Sequence, residues 1–522
     1  MEQTEQTAKY IMYTYAHQLV TESDFQILYL NNNMEEIWLE KYADKTSKIV
    51  RISTIGFDWK NHLKKDIAIV FQKTSAMRKL LKGKDVTVHN VYISPHTPID
   101  DWEILKKPLV FQEKNPIRMM TYYLSGEEVF PERNRLEKNI HVSFVDDSET
   151  VAVDQMEETV NRKKLALYKL MQEKKKKEES ILSYGKPIVT YLLIVINAIL
   201  FLLLELNGGS ENHTTLIEYG AKYNPLIIEG EWWRIITSMF LHIGLIHFAS
   251  NMLFLFYFGS LAEKIYGSSR FLFIFLLAGI GGGITSFTFV TNLSAGASGA
   301  LYGLFGAFIY FGLFHKRIFF QTIGKDILIL LGINVILGFV LPQLDVAAHF
   351  GGLIAGFVAA GIVHFPKKRK MVVQVVSLIV YFVLANGLYT FAIQYNNADA
   401  SYHLMNIDRL LLEERYEEVV ESASKGLEDP DDMEAILLFQ RSYAYIQLNE
   451  IELAVVDLEQ CIQVLENPNE LPEAFYNLAI LYHELGDSKA EAMIKQAYEL
   501  KPSDNNVEEM YETITGEKLK GD

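Results

Sequence analysis

The chain has 522 residues, enough for about three or four domains. Hydrophobic residues make up 49% and charged residues 22%, and the net charge of −16 (49 Lys and Arg against 65 Asp and Glu) argues against a nucleic-acid partner. The average hides the distribution: residues 271–314 contain no Asp, Glu, Lys or Arg, and a bilayer span needs only about 20 residues, so a single-domain soluble enzyme is excluded.

Residues 1–150 read as a small α/β soluble domain. Strand-like runs rich in Val, Ile and Tyr fall at 47–53, 86–94, 119–124 and 140–145, and 58–81 has helical spacing that stops before Gly83. The N-terminus lacks the basic-then-apolar pattern of a signal peptide, so about 180 residues are expected on the near side of the membrane. Its histidines (His17, His62, His89, His96, His141) show no metal-ligand spacing. Residues 151–186 read as a charged, solvated helical connector ending in the run Lys174, Lys175, Lys176, Lys177. Cys461 is the single cysteine, which leaves no intrachain disulfide.

The membrane block is expected over 187–395 with seven spans: 188–204, 235–262, two within 271–314 joined by a turn at 291–297, then 327–344, 346–365 and 371–395. Trp232 and Trp233 suit a membrane interface. Basic residues gather before span one, after span two (Lys264, Arg270), after span four (His315, Lys316, Arg317) and after span six (Lys367, Lys368, Arg369, Lys370). With seven spans all these loops share one side, so the positive-inside rule puts the N-terminus in the cytoplasm and residues 207–234 and the tail outside. The tail, 396–522, repeats at 35 to 37 residues: Val419, Ala454 and Ala490 are equivalent small positions, as are Gly426, Cys461 and Ala497. With Phe475, Leu478, Ala479, Tyr482, Gly486 and Pro502, the last unit resembles a tetratricopeptide repeat. Three helix pairs stacked in this way form a short solenoid that serves as a peptide- or protein-binding surface, or as a stability module or dimerisation surface without a specific ligand.

Three polar groups inside the apolar block could carry chemistry. Gly296-Ala297-Ser298-Gly299 puts Ser298 at the N-terminus of span four, where unpaired backbone N–H groups favour an oxyanion, although Gly-x-Ser-Gly alone is also a packing motif. Ala348-His349-Phe350-Gly351-Gly352, with Gly356, puts His349 at a matching depth on span six; a lone intramembrane histidine is more often a structural hydrogen-bonder, and a serine facing it changes that balance. Tyr302, four residues after Ser298, shares its helical face and could brace the imidazole. On span two, His247 and Asn251 lie at i and i+4 and offer two donors to one point, for an oxyanion or for interhelical bonding. There is no His-Glu-x-x-His, His242 and His247 are five apart without a carboxylate nearby, and no Gly-x-Gly-Asp or aspartate pair occurs in a span. No metal site and no cofactor are expected.

Trp233-Arg234, His247 with Asn251, Gly296-Ala297-Ser298-Gly299 and Ala348-His349-Phe350-Gly351-Gly352 with Gly356, in this order over residues 187–370, together resemble the rhomboid family of intramembrane serine proteases. Gly259 and Glu263 also fit the family's end of span two, and the seventh span and repeat tail are similar to the long rhomboids of Gram-positive bacteria. The resemblance implies a multi-domain, multi-pass protein of the bacterial plasma membrane with a six-span helical core and an added seventh span. It implies a Ser298–His349 dyad, an oxyanion hole from the Ser298 N–H, His247 and Asn251, Tyr302 stacked on His349, and Trp233-Arg234 holding the outer loop in the interface. Implied substrates are transmembrane proteins cut near the outer leaflet where their helix unwinds, with the repeats recruiting substrates or other protein partners. The competing expectation, a non-catalytic membrane adaptor in membrane-protein quality control, would have been favoured by loss of Ser298 or His349.

Overall fold

The computed structural model describes residues 2–31, 36–78, 81, 83, 85–111, 116–145, 151–340 and 344–517. The expected end of span five at 341–343 and the domain limits at 150 and 522 lie outside them. The chain forms two compact units, Met1–Leu182 with His315–Thr322, and Ser183–Phe314 with Ile323–Asp522.

In the first unit α1 (Glu2–Thr21) precedes a six-stranded mixed sheet of β1 (Gln26–Asn31), β2 (Glu36–Ala43), β3 (Thr46–Ser53), β4 (Asp85–Ile93), β5 (Leu109–Phe111) and β6 (Ile117–Leu124), in the order β1-β2-β3-β4-β6-β5. The hairpin from β2 to β3 turns on Asp44 and Lys45, both left-handed (φ 51° and 64°), as a two-residue turn matched to strand twist requires. β3 and β4 run parallel, with α2 (Lys60–Met77) in the connection between them. Both sheet faces are covered. Val50, Ile52, Val91 and Tyr122 pack with Met12, Tyr15 and Leu19 on one side, and Ile49, Val88 and Met119 pack with Leu63, Ile67 and Val70 on the other. Burial on both faces is why these strands read as near-continuous apolar runs.

Three sequence expectations change here. Residues 140–145 are not a strand: α3 (Val129–Ile140) stops there, His141 caps it at φ 61°, and the Phe144 ring stacks on Tyr15 at 4.0 Å. β1, β2 and β5 were missed, β2 because its charged residues, Glu36, Glu40 and Lys41, mask its alternation. The connector, α4 (Val153–Leu182), is not a wholly solvated helix: Leu167 is buried in the core, Lys163 Nζ donates to Thr14 (2.8 Å), and Lys174 Nζ donates to the Ile27 carbonyl (3.2 Å).

His89 on β4 is 1% exposed, its Nδ1 lies 3.0 Å from the Tyr122 hydroxyl, and burial pushes its pKa down to about 3. The unfolded chain takes up a proton below about pH 6.5 that the folded unit refuses, so the stability is complete above that pH and falls as pH drops toward 3. The slope approaches about 1.4 kcal/mol per pH unit. Hydrogen exchange of β4 and β6 amides in the full chain, corrected for intrinsic rates, is expected to speed up accordingly below about pH 6. His89→Gln should flatten this dependence; an unchanged slope in that variant would assign the proton uptake to another group.

The second unit begins with α5 (Ile188–Leu206), whose first turn is capped by a carboxylate from elsewhere: buried Glu263 accepts from the Val189 and Thr190 amides and the Thr190 hydroxyl at 3.0, 2.8 and 2.7 Å. A loop carrying the short helix α6 (Asn224–Ile228) leads to α7 (Leu245–Tyr266), α8 (Ser268–Phe289), α9 (Ser298–Phe314), α10 (Gly324–Val340), α11 (Val346–Val363) and α12 (Met371–Ala398). Each expected span thus has an apolar helix. Among the described residues, α5, α7, α8, α11 and α12 are long and apolar enough to cross a bilayer alone, while α9 and α10 have 17 residues each. α9 is enclosed by the other helices, with twelve buried residues.

The tail stacks three helix pairs, α13 (Ala400–Leu412) with α14 (Tyr416–Gly426), α15 (Glu434–Gln447) with α16 (Ile451–Val464), and α17 (Pro472–Glu484) with α18 (Ala490–Leu500), before α19 (Asn505–Thr515). The small repeat positions are buried where helices meet: a Cβ on Gly426 would stand 3.1 Å from both His403 and Leu437. The tail is fastened to the loop around α6, where Arg409 bridges both Glu229 oxygens (2.5 and 3.1 Å), Tyr223 donates to the Met405 carbonyl (3.0 Å), and Asn224 donates to Asn396 (2.7 Å).

Candidate active site

Ser298 opens α9 and is half-buried. The loop before it is pinned at several points. Ser294 and Lys222 exchange both backbone bonds (2.9 and 3.1 Å), and the Gly296 N–H donates to the Ser238 carbonyl (2.9 Å). A side chain at Gly296 would stand 2.7 Å from His247 Cε1, so the backbone itself lies against that ring. The first helical bond, from the Leu301 N–H to the Ala297 carbonyl, then sets the Ser298 amide among the unpaired N–H groups of the helix start.

His349 lies in the first turn of α11, is 8% exposed, and stacks flat on Tyr302 with centroids 4.1 Å apart and planes 6° from parallel. α9 and α11 meet on backbone. A Cβ at Gly352 would fall on the Gly299 carbonyl, one at Gly356 on the Gly303 backbone, and one at Gly306 on the Leu353 carbonyl. Ser298 and His349 flank this contact, one residue before Gly299 and one after Ala348. Their side chains are not hydrogen-bonded to each other here; such bonds often close only when substrate is present.

Asn251 donates to the His247 carbonyl (2.9 Å), so one of its amide hydrogens is spent within α7, and the His247 ring borders the loop before Ser298. His242, weighed in the sequence only as a metal ligand, adds a second ring 5.5 Å from His247. Arg234 is buried, donating to Glu231 (2.6 Å) and to the Ile217 and Ala221 carbonyls (2.6 and 3.3 Å), with its guanidinium over Trp233. It therefore ties the loop between α5 and α7 to itself, while Trp232 and Trp233 keep exposed ring surface.

A buried polar cluster behind the loop has no counterpart in the sequence expectations. Asp345 caps α11, accepting from the Ala348 N–H (2.8 Å), and its other oxygen accepts from the Ser286 and Ser294 hydroxyls (2.5 and 2.8 Å). Lys222 is 1% exposed, donates to the Val290 carbonyl (2.5 Å), and is pushed down to about 8 by burial, against which the charge of Asp345 works. An aspartate just before an apolar helical run was a readable cap signal; nothing local marks Lys222 as buried. A cavity of about 30 Å³ lies between Lys222, Ser238, Ser286, Ser294 and the Gly296–Gly299 stretch, room for a water but not for a cofactor. Among the described residues no group of three His, Cys, Asp or Glu is arranged to hold a metal.

Comparison with known proteins matches residues 229–366 to the family described as Rhomboid domain, and residues 435–464 and 472–504 to the Tetratricopeptide repeat. The chain is similar to "Rhomboid protease GluP" of Bacillus subtilis (strain 168), 34% identical over 450 residues that span 86% of this chain and 87% of that protein. It is also similar to two proteins of Arabidopsis thaliana. "RHOMBOID-like protein 6, mitochondrial" is 39% identical over 148 residues, 28% of this chain and 48% of that protein. "RHOMBOID-like protein 2" is 38% identical over 148 residues, 28% of this chain and 46% of that protein.

Proposed function

Since the chain belongs to the rhomboid family and is an intramembrane serine protease, we propose that Ser298 is its nucleophile and His349 its general base. The stack of Tyr302 on His349 carries this reading, because it fixes one imidazole beside the start of the helix that Ser298 opens. Ser298 Oγ attacks the scissile carbonyl as its proton passes to His349, which returns it to the leaving amine; water then hydrolyses the acyl-enzyme ester by the same route. The Ser298 N–H, the His247 ring and the free Asn251 amide hydrogen hold the negative oxygen. Gly296 lets the loop lie against the His247 ring, and Gly299 lets the start of α9 approach α11.

The length of α9 supports a site below the surface. Its 17 residues span about 25 Å against about 30 Å of hydrocarbon. With its far end at His315, Lys316 and Arg317, Ser298 starts several ångströms inside the opposite face. That face is the outer one if basic loops lie in the cytoplasm, as the seven-span order in a bacterial plasma membrane requires. The N-terminal unit is then cytoplasmic, and the repeat tail outside presents substrates or partner proteins to the site. The substrates are transmembrane proteins with a segment that unwinds near the outer leaflet.

A fluorophosphonate that traps activated serines tests the assignment. Peptide mapping after labelling of the full chain in detergent should find the adduct on Ser298, and His349→Ala should block it. An adduct on another serine, with Ser298 bare, would overturn the reading.

A further inference from the structure

The glycine contact between α9 and α11 brings two backbones together but gives them little to lock onto. Smooth surfaces made of Gly299, Gly303, Gly352 and Gly356 can slide along the helix axes, and a slide of about 1 Å is enough to cost a catalytic pair two orders of magnitude. Far from the site, Tyr310 on α9 and His364 just past the end of α11 hold each other at 2.7 Å; at the end that carries Ser298 and His349 another group has to fix the height of one helix against the other.

Asp345 spans the gap at that end. Asp345 sits at the start of α11; its Oδ1 accepts from the Ala348 N–H (2.8 Å), and its own carbonyl accepts from the His349 N–H (3.2 Å). Its Oδ2 accepts from Ser286, near the end of α8, and from Ser294, four residues before Ser298. Ser294 is itself held by the paired backbone bonds to Lys222, whose buried ammonium donates to the Val290 carbonyl at the other end of the same loop. A single carboxylate thus joins the helix carrying His349, the end of α8 and the loop delivering Ser298, with the charge of Lys222 behind it.

We infer that Asp345 is a positioning residue, whose carboxylate sets the height of His349 against the loop that leads to Ser298. This rests on the assignment of Ser298 and His349 as the catalytic pair. Asp345 does not reach the reacting atoms: it acts through the start of α11 and through Ser294. The charge of Lys222 lies within electrostatic reach of the carboxylate, and Ser286 anchors it to α8, which carries neither member of the catalytic pair.

The test uses the full chain reconstituted in lipid vesicles with a purified transmembrane reporter substrate. kcat, KM, melting temperature and the rate of fluorophosphonate labelling at Ser298 are measured for the parent, Asp345→Ala, Asp345→Asn and Ser294→Ala, with Ser298→Ala as the zero. Asp345→Ala is expected to lower kcat and the labelling rate by about 10²-fold, with KM within about threefold of the parent. Asp345→Asn, whose amide oxygen can still cap the helix, should recover about tenfold of that loss. Ser294→Ala, which removes one arm and leaves the cap, should lower kcat by about three- to tenfold with the melting temperature unchanged, and it carries the test should Asp345→Ala fail to fold. A kcat within twofold of the parent in Ser294→Ala and in whichever Asp345 variants fold would overturn the proposal, as would a rise in KM at constant kcat. Cleavage by Ser298→Ala would sink the catalytic pair itself, and is read separately.

Discussion

Ser298→Ala is expected to abolish cleavage of a transmembrane reporter in cells, with a loss of at least about 10³-fold at equal accumulation of both proteins in the membrane. The methyl side chain keeps the helix start, the loop pinned by Ser238 and Lys222, and the Tyr302–His349 stack, since none of these uses the hydroxyl. On the proposed mechanism, what is removed is the atom that forms the acyl-enzyme. His247 and the helix-start N–H groups remain to polarise a carbonyl, yet without a nucleophile they contribute only weak residual hydrolysis. Parent-level cleavage by the variant would mean that another residue does the chemistry.

Gly356→Ala is expected to cost about 10²-fold in cleavage, although Gly356 touches no reacting atom. Inside a helix, alanine is favoured over glycine by about 1 kcal/mol, so propensity alone predicts a more stable protein. The contact decides the other way. The new methyl would land on the Gly303 carbonyl and Cα, which are backbone and cannot rotate aside, so α11 must back away from α9 and take His349 with it. Gly332→Ala and Gly387→Ala provide the contrast, because a Cβ at either position meets nothing within 4 Å. Those two should keep full activity and unchanged or slightly raised stability. Equal behaviour of all three variants in the same cleavage assay would remove the backbone contact from the account.

The parts of this fold that rest on local chemistry were readable. Small residues four apart at Gly299, Gly303, Gly352 and Gly356 announced close helix packing, and Ser298, His349 and Tyr302 followed from which faces those helices could share. The repeat tail was readable because one helix pair cannot bury its own face, so its small positions must recur. What escaped depends on partners distant in sequence. Lys222 reads as an ordinary loop cation until the 290–297 loop closes over it, and Asp345 gains its meaning from Ser286 and Ser294, more than fifty residues away. β2 hides because Glu36 is charged yet buried, an arrangement paid for by Arg51 on the next strand at 2.7 Å. Residues 140–145 carry strand-forming side chains, but Phe144 finds a better burial site on Tyr15 than a sheet edge would offer.

The clasp of Arg409 on Glu229, with Tyr223 on Met405 and Asn224 on Asn396, makes the start of the repeat tail a continuation of the loop around α6. If the tail grips clients, as proposed above, a client on such an arm does not roam a sphere around a flexible leash, where local concentration would fall off smoothly with tether length. It is carried at one fixed offset, as on a jig. Among clients bound equally well, the one cut fastest would then be the one whose stalk, measured from the gripped epitope to its bilayer segment, matches that offset, and a few residues added to or removed from the stalk would switch it off.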